Sequence, residues 1–366
     1  MTRTLRYNPI MNILLITDLY PVYETEKTTP KTLLNFVKEW EKQGHTVNVI
    51  KPNFIFNSFL RGKPFYKTGQ YGNVYNVNYW TPFFGNIKNK INNLSDFRFV
   101  IAHMPSGILF ADKLGLPFVA GIHNSDLVVL TSPLYAIHFR KRMIKALKNA
   151  KAIACRSFVI KKKLLKLFPE FENKTFVAPS GIDNNIINLS TVQPFNHSTL
   201  KILTCAHFKK RKNIDKLIKA CKGLEDVELT VIGDGKIRKS LEKLDKNVIF
   251  TGELEREKVL EKMRESDVFI LPSVGETFGM VYLEAMASGC ITVCTKDDGI
   301  SGIIKDGENG FLTEPIVEDI RNIILKIKNL SQDELQKILQ NTFDTIKEYT
   351  SEKVAQNYLQ QIFKIF

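Results

Sequence analysis

Short apolar runs alternate with helical patterns along most of the chain. "NILLITD" (12–18) is a continuous apolar run closing on Asp18, which reads as a buried strand. "KTLLNFVKEWEKQG" (31–44) sets Leu33, Leu34, Val37 and Trp40 at helical spacing and stops at Gly44. "HTVNVI", "FRFVIAH", "PFVAGIH", "KAIACRS" and "KTFVAP" follow as strands. A second series opens at "LKILTCAHF" (200–208), continues with a helix from Asn213, and adds "VELTVIGDG", "NVIFTGE", "DVFILPS" and "CITVCT". Between the series, "NLSTVQPFNHST" (188–199) is polar, carries Pro194 and reads as a linker. Strands alternating with helices imply parallel sheets covered by helices. The pattern therefore predicts an α/β chain of two doubly wound, Rossmann-like domains, at 1–190 and 196–349. Ligands are expected at the carboxyl ends of the strands. "SQDE" (331–334) is a capping box on Ser331 and Glu334, and "TSEKVAQNYLQQIFKIF" is a last amphipathic helix.

Composition narrows the class. A length of 366 residues suits two domains, and 44% apolar content is ordinary for a globular chain. No apolar run approaches the roughly 20 residues of a membrane span. Arg3 and Arg6 before "MNILLI" imitate a signal peptide, but no small-residue cleavage site follows. A cytoplasmic location is expected, with residues 1–10 as an irregular extension. Cys155, Cys205, Cys221, Cys290 and Cys294 form no CxxC pair and no zinc spacing, so they are expected to be reduced core thiols. Charge is uneven: residues 1–195 hold 26 Lys+Arg against 11 Asp+Glu, and the remainder is nearly balanced.

"GETFGMVYLEAMASG" (275–289) carries the sharpest chemistry. It follows the strand "SDVFILPS" and places Glu276 in a loop and Glu284 inside a helix that stops at Gly289. Backbone N–H groups at Phe278, Gly279 and Met280 sit at the helix start. They lack intrahelical partners there and suit a phosphate. Gly279 has no Cβ and permits close approach. Glu284 lies about 7–8 Å further along the axis. A diphosphate with a ribose at one end and a sugar at the other would span this arrangement, each carboxylate accepting from hydroxyls. Carboxylates beside a diphosphate need cations, so basic residues should converge from elsewhere.

The segment resembles the E-x7-E motif of retaining glycosyltransferases with the GT-B fold, the family four (glycosyl transferases group 1) type. "HFKKRKNIDKLIKA", "VELTVIGDG", "VIFTGELEREKVLEKMRESDVFILPS", "DDGISGIIKDGENGFL" and "VAPSGID" resemble the family in order over nearly the whole chain. The resemblance implies two domains facing a central cleft, with helix 350–366 packing back on the first. It implies that Glu276 contacts the donor sugar and Glu284 the ribose hydroxyls. Amides at Phe278, Gly279 and Met280 would hold phosphate or sugar, Arg211 and Lys212 the phosphates, and the backbone at Leu254 the base. His123 in "AGIHNSD" matches a catalytic first-domain histidine. The family often has arginine where His207 stands. Its usual glycine pair in the first-domain acceptor or phosphate loop falls on Thr28 and Thr29.

The expected reaction is transfer from a nucleotide-diphosphate sugar to an acceptor hydroxyl with retention, without a metal or other cofactor. The rivals are a nucleotide-sugar epimerase of the same fold and a basic binding protein with a non-catalytic site. "GDG" (233–235) lacks the third glycine of a dinucleotide fingerprint and reads as a turn. No nucleic-acid-binding signature is present. Between Leu127 and Pro169 there is no Asp or Glu but 11 Lys+Arg. With the aromatic "NYWTPFFGNIKNKI" (78–91), this predicts docking on an anionic membrane surface and a lipid-linked or other cell-envelope glycan acceptor.

Overall fold

The computed structural model describes residues 10–26, 29–54, 65–79, 97, 99–133, 139–187 and 198–365. Residues 1–9, Thr28, the aromatic stretch 80–91 and linker residues 188–197 lie outside the described residues. The chain divides into two compact units. The first holds Met1–Arg156, Ile160–Ala178 and Ala355–Phe366; the second holds Ser157–Val159 and Pro179–Val354.

The first unit is built on strands β1 (Asn12–Ile16), β2 (Thr46–Phe54), β3 (Gly69–Tyr71), β4 (Val74–Tyr79), β5 (Phe99–His103), β6 (Phe118–Ile122), β7 (Ala152–Cys155) and β8 (Thr175–Val177). Their order is β3-β4-β2-β1-β5-β6-β7-β8, parallel except for the β3–β4 hairpin. Ile13, Leu14, Leu15 and Ile16 are almost wholly buried because β1 lies mid-sheet with helices on both faces. Strand order reverses between β1 and β5. The β3–β4 hairpin was not anticipated from the sequence. Its apolar signal is interrupted by Asn76 and Asn78, whose side-chain amides donate to the Tyr66 carbonyl at 3.1 and 2.8 Å.

The second unit carries β9 (Leu200–Cys205), β10 (Val227–Ile232), β11 (Ile249–Gly252), β12 (Val268–Leu271), β13 (Ile291–Thr295) and β14 (Phe311–Thr313). The order is β11-β10-β9-β12-β13-β14, all parallel, and it reverses between β9 and β12. Both sheets are thus the doubly wound type the apolar pattern predicts. The GDG stretch is a turn: Gly233 has φ +125°, and a Cβ there would collide with the Ala206 carbonyl. All five cysteines are free, four of them buried and Cys205 half-buried.

The last helix, Ser351–Phe363, passes from the second unit into the first at Ala355. The Trp40 indole donates to the Ala355 carbonyl at 3.0 Å. Tyr358 sits among Phe36, Trp40 and Phe176, with ring centroids 5.5, 5.6 and 5.7 Å away. Trp40 itself is fully buried. Trp40→Ala is therefore expected to cost about 3–5 kcal/mol in urea unfolding. It should also open Ala355–Phe366 to limited proteolysis. Wild-type midpoints and cleavage would show that Trp40 does not anchor the helix.

Candidate functional site

The loops after β9 and β12 leave the sheet where its strand order reverses, the position at which such sheets bind ligands. After β9, Lys210–Lys212 form one tight turn and Asn213 takes a left-handed conformation, φ +52°. The Asn213 amide donates to the Pro272 carbonyl at 2.7 Å, and Val274 N–H donates to the Arg211 carbonyl at 2.8 Å. The two loops are thereby clipped together. Glu276 completes the clip: its Oε1 accepts from Arg211 Nη1, Lys212 Nζ and Ser273 Oγ, each at 2.6 Å.

Glu276 and Lys212 each keep 13% of their side-chain surface. Burial alone would push the Glu276 carboxyl up. Hydrogen bonds from Lys212 and Ser273, with the charges of Lys212 and Arg211, outweigh it and hold the carboxyl below its ordinary value. The helix Met280–Ala287 starts behind this cluster, with Gly279 at its N-cap and φ +91°. A Cβ on Gly279 would strike the Tyr282 ring at 2.5 Å. Tyr282 is itself fixed by donating to the Leu271 carbonyl at 2.8 Å. Phe278 is buried, and Met280 is partly exposed at the first helical position.

Glu284 is one turn further on. Its Oε1 accepts from Arg256 Nη2 at 2.8 Å and Nε at 3.1 Å. Arg256 opens the helix that follows β11, two residues beyond Leu254, which is half-buried. The cations thus do converge from elsewhere. Arg211 and Lys212 were expected; Arg256 and Ser273 were not. No spacing rule links Arg256 to a glutamate 28 residues away. His207 is exposed in the same loop as Lys212. Among the described residues, each glutamate leaves Oε2 without a protein hydrogen bond.

In the first unit His123 caps the helix Asn124–Thr131 just after β6. Its Nε2 lies 3.0 Å from Nδ1 of His103, the last residue of β5. The His123 backbone N–H donates to Asp126 Oδ2 at 2.7 Å. Burial, then the Arg156 charge, push the His123 imidazole down, so it is neutral at ordinary pH. Burial pushes the Asp126 carboxyl up to about 8. In the loop after β1, Thr29 is buried and its hydroxyl donates to Glu26. Glu26 also accepts from Val22 N–H at 3.1 Å. Glu26 thus ties Val22 to Thr29, one of the two positions on which the family's glycine pair falls.

Residues 30–185 match the family described as Glycosyltransferase Family 4, and residues 186–346 match Glycosyl transferases group 1. An uncharacterized glycosyltransferase of Methanocaldococcus jannaschii is 30% identical over 255 residues, 68% of this chain and 68% of that one. The chain belongs to this glycosyltransferase family. The glycosyltransferase is also 35% identical over 127 residues to the sulfoquinovosyl transferase of Arabidopsis thaliana, covering 33% of this chain and 24% of the other. The Anabaena protein HepE in complex with UDP superposes with a TM-score of 0.72 over 97% of this chain and 100% of the other, at 18% identity. That likeness establishes the GT-B fold alone.

The Glu276 cluster gives the glycosyltransferase a defined pH response. Its folded carboxyl lies below the ordinary 4.5, so the stabilisation is fully present above 4.5 and is lost as pH falls through the folded value. Glu276→Gln should therefore lower stability at pH 7, and the gap to wild type should close in acid. Denaturation midpoints of both proteins from pH 3 to 7 test this. A gap that does not change with pH would mean that the charge of Glu276 contributes nothing.

Proposed function

We propose that the protein transfers a sugar from a nucleoside-diphosphate sugar to an acceptor hydroxyl with retention at the anomeric carbon. Support comes chiefly from one observation: two cations, a helix start and two glutamates with spare oxygens meet where the second sheet reverses. In this reading Lys212 and Arg211 neutralise the diphosphate, and the amides at Phe278, Gly279 and Met280 complete its shell. Glu284 accepts from the ribose hydroxyls, displacing Arg256, and the Leu254 backbone meets the base. Glu276 contacts the donor sugar through the E-x7-E arrangement. The anomeric carbon–phosphate oxygen bond breaks as the acceptor oxygen bonds to that carbon, and the leaving phosphate takes the acceptor proton. The helix start and Lys212 stabilise the charge that develops on it. No metal is required by this scheme. His123 is the first unit's contribution to the chemistry, and the Thr28–Thr29 loop serves acceptor or phosphate.

The basic excess suggests the acceptor. Lys141, Arg142, Lys145 and Lys148 are exposed on the helix Phe139–Asn149, as are Lys162, Lys163 and Lys166 on Phe158–Leu167. Phe158 and Leu167 are exposed beside them. Among the described residues no helix is long and apolar enough to cross a membrane. Peripheral docking on an anionic leaflet, with a lipid-linked or other envelope glycan as acceptor, accounts for the exposed basic residues on these two helices. Each basic residue near such a surface contributes about 1 kcal/mol.

Two measurements test these assignments. HepE's complex with UDP makes that nucleotide the first ligand to try, with GDP beside it. Lys212→Ala should weaken the diphosphate that binds by about tenfold or more, one charge-assisted hydrogen bond, and leave the nucleoside unchanged in calorimetry. Equal losses would remove Lys212 from the phosphate site. Co-sedimentation should show binding to vesicles containing phosphatidylglycerol but not to phosphatidylcholine vesicles, fading as salt shortens the screening length. Indifference to lipid charge would leave the patch a solvated face.

A further inference from the structure

His123 is not held by its own helix alone. Its Nε2 faces His103 Nδ1 at 3.0 Å, and His103 Nε2 faces the Tyr358 hydroxyl at 3.1 Å. Three polar side chains thus stand in series, the last on the C-terminal helix. The backbone makes room for them. His103 pairs with Gly121 across β5 and β6, and a Cβ on Gly121 would overlap the His103 ring. Tyr358 is boxed by Phe36, Trp40 and Phe176, so its hydroxyl has little freedom to turn away. His103 and Tyr358 are essentially inaccessible to water. Burying these two groups costs free energy that two apolar side chains filling the same space would not. Packing alone therefore does not account for the series.

Burial pushes both imidazoles below their ordinary range, and the Arg156 charge adds to it, so both rings are neutral. A neutral imidazole has one N–H and one bare nitrogen. Two of them in series share a hydrogen bond only when their tautomers run in the same direction. A tyrosine hydroxyl, able to give or accept, closes the far end. The series then has only two self-consistent settings, and either one fixes which nitrogen of His123 carries its proton. We propose that His103 and Tyr358 are positioning residues that hold the ring plane of His123 and couple its tautomer to the hydroxyl of Tyr358, so the C-terminal helix influences the chemistry of a residue at the end of β6. The proposal deepens the assignment of His123 made above and rests on it for its functional consequence.

Tyr358→Phe removes one oxygen and keeps the ring in its aromatic box, so the fold should survive. Long-range proton–nitrogen spectra of 15N-histidine-labelled protein read the tautomer of each ring. Single His103→Asn and His123→Ala variants assign the signals among the six histidines. Wild type should show one of the two matched settings at the pair of rings, and Tyr358→Phe, which takes away the partner of His103 Nε2, should shift the tautomer populations of both rings together. Turnover of whichever of UDP-glucose, UDP-N-acetylglucosamine and GDP-mannose the wild type consumes should fall about tenfold, the worth of one ordinary hydrogen bond. The KM for that donor should stay within about twofold, because Tyr358 is not assigned to donor binding. Unmatched tautomers at the two rings in wild type, or tautomers unmoved by the substitution, would overturn the proposal. So would altered tautomers with normal turnover. Wild-type turnover in His123→Ala would instead remove His123 from the chemistry, while the spectra would still decide whether the series exists.

Discussion

One carboxylate oxygen organises the second unit's binding end. Glu276 Oε1 takes three hydrogen bonds from two loops that belong to neighbouring strands. Those strands, β9 and β12, flank the reversal of strand order, so their following helices leave on opposite faces of the sheet. Nothing in a doubly wound sheet joins such loops by default. Here a charge does it, supported by the Asn213 amide and the Val274 N–H. Removing one member of a poorly solvated cluster leaves its partners uncompensated, which costs more than the pair contributes while intact. The position of Lys212 therefore depends on Glu276. Any phosphate that reaches Lys212 shares it with that carboxylate or displaces it.

The sequence made the frame legible because buried parallel strands are continuous apolar runs. "NILLI", "VFIL" and "ITVCT" could hardly be anything else, and they are β1, β12 and β13. Glu276 and Glu284 stood out in the sequence as two acids around a helix start that called for cations, while Arg211 and Lys212 were singled out by the family resemblance of their loop; the structure brings both cations onto Glu276. Arg256 was not legible, because its pairing with Glu284 runs through the fold rather than along a period. The β3–β4 hairpin was hidden by asparagines that the structure uses as backbone staples. The loop after β1 departs from the family at Thr28 and Thr29, as the sequence already shows. The family's glycines there allow close approach to a diphosphate or acceptor; here Glu26 accepts from Val22 N–H and the Thr29 hydroxyl.

His103 shows how a polar residue disappears into an apolar pattern. At the end of "FVIAH" it looks like the close of a strand, and its ring is indeed buried. Its significance comes from Gly121 on the neighbouring strand and Tyr358 from 255 residues away. Glycine inside a buried strand weakens it by leaving nothing to pack. At Gly121 the vacancy is filled by an imidazole from the next strand. A cost in β6 thus becomes space for the His103–His123 pair.

The two units handle polarity in opposite ways. The second sets charge against charge, at Glu276 with Arg211 and Lys212 and at Glu284 with Arg256. The first uses burial to keep groups neutral: His103 and His123 are pushed down, and Asp126 is pushed up to about 8. Under the proposed reaction this division has a physical sense. A diphosphate arrives with negative charge and gathers more as its bond to the sugar breaks, so it needs cations. The sugar passes through a state with positive charge growing near its anomeric carbon. An imidazolium near such a sugar would repel that charge, whereas a neutral imidazole could accept or donate a hydrogen bond without opposing it. If His123 has the proposed role, its depressed pKa, caused by desolvation and then by the Arg156 charge, would keep the ring uncharged near neutral pH.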